Sequence, residues 1–363
     1  MNTYSGFSFN LASAFLQNHA KESACVSPVS LLMPLAAVAS AAAGDTRAEF
    51  AKVLGGPVSD PHQLLREIHE ICNVLNDCPA VCELTNTIEG DKKHAFQSVF
   101  MENMHRTFGE KIGMRSGATD NIKLTNVTHF KDGWIKRFSE QEERFYTTPH
   151  GVEQHGEKVP FLYYNDEKLA YTKNDRYQSV TVPFKTNATQ SSGLFPLAAE
   201  KRSGSACYMT FAMPFHRSID DVLASPTELA EMLQCQSFVF NSRAELHLPA
   251  FSLEQVNSLN AELMQLGLNR AFNKNASDIP AMVALQGDER LYIENVQQNI
   301  KVDVNAQGAE ARAETTISMG ICVGCMPLKP RKELLLFNHP FLFTIWLQTP
   351  NGDALPLFIG AKR

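Results

Sequence analysis

The chain has 363 residues, 44% hydrophobic and 20% charged, with 33 Lys plus Arg against 39 Asp plus Glu and a net charge of -6. That mix excludes disorder, collagen-like repeats and a disulfide-dense miniprotein, and it can bury a sizeable core. The mild acidity has the wrong sign for a nucleic-acid or anionic-membrane surface. At about 150 residues per domain, length alone suggests two domains.

Residues 1–6 carry no basic run and no apolar run, so no secretory signal is expected. Phe7, Leu11, Ala14, Phe15 and Asn18 then follow the spacing of an amphipathic helix. No formal charge falls between Glu22 and Asp45, but Pro28, Pro34 and four serines interrupt the stretch. A buried strand followed by a core helix is expected there, not a membrane span. Asp45 is expected to cap a helix through Phe50 and Leu54 that stops at Gly55-Gly56. A further helix is expected over residues 62–75. From about residue 120 the period changes to two, at Ile122, Leu124 and Asn126, then Val180 and Val182, then Leu246 and Leu248. Pro249 suggests an edge or a bulge. A late helix is expected from Asn257 to Gly267. The class is α+β, a sheet core wrapped by helices.

The usual catalytic signatures are absent: there is no GxSxG, HExxH, GxxxxGK[ST] or GxGxxG. His150 and His155 lie in a polar, Gly-containing stretch expected to be a solvated loop, and Glu140, Glu142 and Glu143 are expected on a solvated face. Cys72, Cys78 and Cys82 lack zinc spacing, and Cys322 and Cys325 form a CxxC without a helix start. Reduced thiols are expected. No metal site, no cofactor and no enzymatic activity are expected.

The informative segment runs from Ile300 to Arg331. Ile300, Val302 and Val304 alternate with polar residues as in a half-buried strand, and Gly308 breaks the run. A second alternation follows, with Ala309, Ala311, Ala313, Thr315 and Ile317 on one face and Glu310, Arg312, Glu314, Thr316 and Ser318 on the other. Alanine buries little area and forms strands poorly. Two readings are open: a marginal edge strand with a loop, or a segment free in one state and a strand in another.

Residues 305–316 (NAQGAEARAETT) resemble the hinge of the serpin reactive-centre loop, and residues 337–343 (FNHPFLF) resemble the serpin signature near the C-terminus. VSPVS at 26–30, LTNVTHFKDGW at 124–134, AELHLPAF at 244–251 and LFIG at 357–360 are similar to four more serpin motifs, in the family's order. The resemblance implies one domain over 1–363 with three β-sheets and about eight to nine helices. It also implies an exposed reactive-centre loop over about 308–331. A protease cuts that loop, an acyl-enzyme forms, and the freed segment inserts into the main sheet before water releases the protease.

On that resemblance the hinge is Gly308, Ala309, Ala311, Ala313 and Thr315, and the breach and shutter positions are Trp134, Ser27, Ser30, Asn126 and Gln298. Three residues depart from the pattern: Ala306 replaces an acidic residue, Gln298 a shutter histidine, and Asp132 a glycine. The spacing beyond Gly308 places the cleaved bond at Cys322-Val323, with Met319-Gly320 second. A medium, uncharged bait residue implies a chymotrypsin-, elastase- or cathepsin-G-like serine protease, held as a covalent 1:1 complex. Alternatives are inhibition of a papain-like cysteine protease, a non-inhibitory carrier or chaperone, and thiol redox chemistry at Cys322 and Cys325. Residues 62–82 hold Arg66 and no Lys, so no strong glycosaminoglycan site is expected. A cytoplasmic monomer is expected, with leaderless secretion left open.

Overall fold

The uncharged stretch after Glu22 folds as strand β1 (Ala24–Val26) and helix α2 (Pro28–Ala41), both almost wholly buried. Pro28 occupies the first turn of α2, where its missing N–H would have had no helical partner. The structure, a computed structural model, describes residues 3–55, 61–76, 81–119, 121–152, 156–166, 169–185, 206–234, 244–309, 332–349 and 354–363. Among them are eight α-helices and three β-sheets. The other helices are α1 (Thr3–Asn18), α3 (Gly44–Leu54), α4 (Pro61–Asn76), α5 (Ser98–Phe108), α6 (Ile219–Leu223), α7 (Pro226–Leu233) and α8 (Asn260–Gln265).

One six-stranded sheet has the order β1, β16 (Ala354–Lys362), β15 (Phe341–Gln348), β9 (Ala206–Pro214), β8 (Tyr177–Pro183) and β7 (Ala170–Lys173). Strands β8, β9 and β15 are buried almost throughout. A four-stranded sheet follows the order β14 (Glu333–Leu336), β10 (Ala244–Pro249), β6 (Glu157–Asp166) and β5 (Ser139–Phe145). The main sheet runs β11 (Phe251–Ser258), β12 (Ile293–Asn305), β13 (Gly308–Ala309), β4 (Ile122–Gly133), β2 (Val81–Asp91) and β3 (Ile112–Thr119). Residues of all three sheets and of the helices contribute to one buried apolar cluster.

Period two is strict in β4, where Ile122, Leu124, Asn126, Thr128 and Phe130 are buried and the residues between them are partly exposed. Strand β12 repeats this from Val296 to Val304. Among the described residues no helix separates β3 from β4, which lie on opposite sides of β2 in the sheet. On the outer face of the main sheet Lys123, Thr125, Val127, His129 and Lys131 remain partly exposed.

Four expectations need correction. Ala43, not Asp45, is the N-cap of α3; Asp45 sits in the first turn, where a carboxylate complements the helix dipole. Gly55 does end α3, in the left-handed conformation (φ 75°). The late helix is shorter than expected, because β11 extends to Ser258 and α8 starts at Asn260. Pro249 terminates an inner strand, since β10 is flanked by both β14 and β6. Finally, His150 is half-buried among rings, with centroids 4.7 Å from Phe215, 5.5 Å from His216 and 5.3 Å from His339. His155 lies outside the described residues.

His94 ties the end of β2 to a distant loop. Its Nδ1 lies 2.7 Å from Asp91 Oδ2 and its Nε2 lies 2.9 Å from Glu289 Oε2. The hydrogen bond to Asp91 raises the imidazole above its usual range; desolvation opposes this and the Glu289 charge adds to it. A raised folded-state value stabilises the fold below the ordinary histidine range, and the gain fades as pH rises through the folded value. The stability gap between wild type and His94→Asn is therefore expected to narrow as pH rises from about 6 to about 9. Urea unfolding across that range measures it.

Candidate functional site

Strands β4 and β12 lie side by side as a parallel pair, from Ile122 opposite Ile293 to His129 opposite Lys301. Beyond that rung β13 enters between them, antiparallel to both. Gly308 pairs with Asn305 and Gly133, and Ala309 with Val304 and Asp132. A direct parallel ladder is slightly weaker than an antiparallel one. A strand filling the whole seam would replace one parallel ladder by two antiparallel ladders.

The entry to this seam is built for glycine. A Cβ on Gly308 would stand 2.2 Å from the Asp132 carbonyl oxygen and 2.4 Å from Gly133 Cα, and φ is 155°. Gly308→Ala is expected to expel β13 and to speed hydrogen exchange of the 308 and 309 amides by about tenfold or more, the loss of roughly one hydrogen-bonded rung. Unchanged exchange by mass spectrometry or NMR would contradict it.

The turn from β12 to β13 is clamped from one side. Trp134 Nε1 donates to the Asn305 carbonyl (2.8 Å), Trp134 N to the Gln307 carbonyl (2.9 Å) and Phe138 N to the Ala306 carbonyl (3.0 Å). Asn305 Oδ1 accepts from the backbone N–H groups of Gln307 (2.9 Å) and Gly308 (3.3 Å), closing an Asx turn. Trp134 is buried and stacked on Phe184, centroids 4.7 Å apart and planes 8° apart. Ala306 is 7% exposed, so a methyl fits where a carboxylate would need buried partners.

Beneath the seam a polar network joins α2 to three strands. Gln298 Oε1 accepts from Ser27 N (3.0 Å), and its Nε2 donates to the Ser27 carbonyl (2.8 Å), Ser30 Oγ (2.7 Å) and Asn126 Oδ1 (3.3 Å). Ser30 Oγ lies 2.7 Å from Asn126 Oδ1, as does Thr128 Oγ1, and Asn126 Nδ2 donates to Asn86 Oδ1 at 2.9 Å. All six residues are buried. The structure thus brings Ser27, Ser30, Asn126 and Gln298 together. Ser27 takes part through its backbone, while its own hydroxyl has no partner among the described residues.

Sequence reasoning missed Asn86 and Thr128. Thr128 was within reach of it, two residues from Asn126 on the same strand face, whereas Asn86 is placed only by the β2–β4 register. Gln298 crosses the seam, because opposite it stands Asn126. Of the other site residues, Ala311, Ala313, Thr315, Met319, Gly320, Cys322 and Val323 lie outside the described residues. Among those described, no cluster of His, Cys, Asp or Glu is arranged to hold a metal ion. Cys25 and Cys72 are buried free thiols; burial raises both, Cys72 to about 12, which makes them poor nucleophiles at neutral pH.

The family profile for serpin (serine protease inhibitor) matches residues 2–121 and 116–362. The leukocyte elastase inhibitor of Homo sapiens is 24% identical, over 98% of this chain and 96% of its own. Antichymotrypsin-2 of Bombyx mori is 23% identical, over 99% and 96%. Among solved structures, Serpin48 of the insect Tenebrio molitor superposes with a TM-score of 0.76 at 18% identity, covering 99% of this chain and 96% of that one. Tengpin, a thermophilic serpin in the native state, gives 0.76 at 19%, covering 99% and 92%. These neighbours share the fold of this chain over almost its whole length. With the family profile spanning almost the whole chain, this protein belongs to the serpin family, a class of protease inhibitors and not of enzymes.

Proposed function

We propose that the protein is a single-use inhibitor of a serine protease, trapping it by inserting the segment after Gly308 into the β4–β12 seam. The register of β13 carries this reading. Extending its pairings with β4 and β12 down the seam reproduces the rungs that those two strands already share, such as Asn126 with Gln298. In that register Ala311 meets Phe130 and Val302, Ala313 meets Thr128 and Ile300, and Thr315 meets Asn126 and Gln298, all buried positions. Residue 319 reaches Ile122, where β4 begins. The small residues therefore fall at the buried positions of the seam. Arg312 and Glu314 fall on the outer face.

The cleaved bond assigned to Cys322-Val323, with Met319-Gly320 second, lies at or just beyond the seam's far end. A protease of the chymotrypsin, elastase or cathepsin G type is the target, in a covalent 1:1 complex. The printed names of the human and silkworm relatives, an elastase inhibitor and an antichymotrypsin, point the same way. The whole chain acts as one unit and a monomer, in the cytoplasm, with no glycosaminoglycan cofactor.

Mixing the protein with neutrophil elastase or chymotrypsin tests the reading. An SDS-stable adduct, with mass spectrometry locating the cut at 322–323, is expected. Simple cleavage without adduct would favour a carrier or chaperone. Oxidation of Cys322, or its pairing with Cys325, is expected to abolish inhibition.

A further inference from the structure

The chain leaves the described residues at Ala309 and re-enters them at Lys332, one residue before β14. Trp134 and Phe138 clamp the first of these ends. The second end has a hold of its own. Strand β14 has four residues and stands at the edge of its sheet. Among the described residues it pairs only with β10, in parallel, from Ala244 opposite Glu333 to His247 opposite Leu336. A short parallel edge strand is weakly held by its ladder alone.

Phe337 N donates to the His247 carbonyl (2.9 Å), so the odd-numbered residues of this run turn their backbone groups toward β10. The carbonyls of Leu334 and Leu336 therefore point to the open edge, because backbone groups alternate along a strand. Both are taken by side chains from another sheet. Lys173 Nζ donates to the Leu334 carbonyl (2.8 Å) and to Glu333 Oε1 (2.6 Å), and Gln178 Nε2 donates to the Leu336 carbonyl (2.7 Å). Lys173 of β7 and Gln178 of β8 stand directly opposite each other in their hairpin. Cross-strand side chains start about 5 Å apart and carbonyls two residues apart stand about 6.6 Å apart, so one rung reaches both. That rung is preformed. Asn174 Oδ1 accepts from the backbone N–H groups of Arg176 (2.8 Å) and Tyr177 (2.9 Å), which closes the turn, and Gln178 is buried.

We infer that Lys173 and Gln178 form a two-pronged clip that seats β14 and fixes where the reactive-centre loop ends, which makes them positioning residues for protease capture. The inference rests on the inhibitory reading above. Ordering a bait loop on binding costs conformational entropy, and a seated end has lost part of that freedom in advance. The Lys173–Glu333 ion pair is partly exposed and adds little, so the two carbonyl contacts carry the hold.

Wild type, Lys173→Met, Gln178→Leu, the double variant and Lys173→Arg are compared as the uncut full chain. In the double variant, hydrogen exchange of the Leu335 and Phe337 amides is expected to quicken by about tenfold, with β15 unchanged. Its second-order rate of adduct formation with chymotrypsin should fall by about two- to fivefold, while the share of cut inhibitor that ends as adduct stays the same. Lys173→Arg, which can donate to the same carbonyl, should match wild type in both measurements. Exchange no faster than wild type, or equally faster in β15, would overturn the clip. Faster local exchange at an unchanged rate of adduct formation would overturn the positioning role. If chymotrypsin cuts wild type without adduct, the inhibitory reading fails and the positioning role with it, whatever the exchange shows.

Discussion

Ala313→Arg is expected to turn the protein from an inhibitor into a substrate: cleaved at the same bond, with at least about tenfold less SDS-stable adduct. In the inserted register proposed above, position 313 would fall opposite Thr128 and Ile300, both buried, and a guanidinium there would lose its water without gaining a partner. Burying an unpaired charge costs several kcal/mol, while about 1.4 kcal/mol already shifts the competition between insertion and hydrolysis tenfold. Glu314→Arg is the matched control. In the same proposed register it would fall between the partly exposed Val127 and Asn299, and it should leave most of the adduct. The pair is sensitive to register, since a slip of one residue would exchange the two phenotypes. Adduct yield after a fixed incubation with chymotrypsin reads it directly. Equal yields for both variants would count against an inserted strand.

The second large effect is expected at Gln298. Gln298→Leu keeps the volume but removes the acceptor for Ser27 N and the donor to the Ser27 carbonyl and Ser30. Leaving such buried groups unpaired should destabilise the uncut protein by about 2–4 kcal/mol. Because the amide also reaches Asn126 across the seam, the same change should loosen the β4–β12 contact. Gln298→His, which can still donate and accept, is expected to recover a good part of the loss. Equilibrium unfolding of the uncut protein gives the magnitude, and a drop below about 1 kcal/mol would mean that the network tolerates the gap through relaxation or water.

Much of this architecture could be read from alternation. The inward residues of β4 and the later half of β12 follow from period two, and α2 follows from an uncharged stretch that its prolines and serines exclude from lipid. Boundaries were harder. Helix α8 lost its expected first turn because β12 holds residues 251–258 in a ladder, a tertiary partner that local spacing cannot reveal. Pro249 read as an edge because a proline cannot donate, yet an inner strand tolerates it at its last residue. At the site, the motifs singled out Trp134, Asn126 and Gln298. It could not say that Gln298 bridges the seam, or that Ser27 serves by its backbone; both depend on how α2 is seated. The burial of Ala306 accounts for one departure from the family pattern, since a carboxylate there would need buried partners, whereas nothing in the structure explains Asp132.

The seat of Trp134 makes the hinge observable. The chain holds two tryptophans, and the other, Trp346, lies in β15. With Trp346 replaced by phenylalanine, the indole stacked on Phe184 would be a single fluorophore bonded to the turn that leads into β13. Its emission would then time any movement of that turn without an added label.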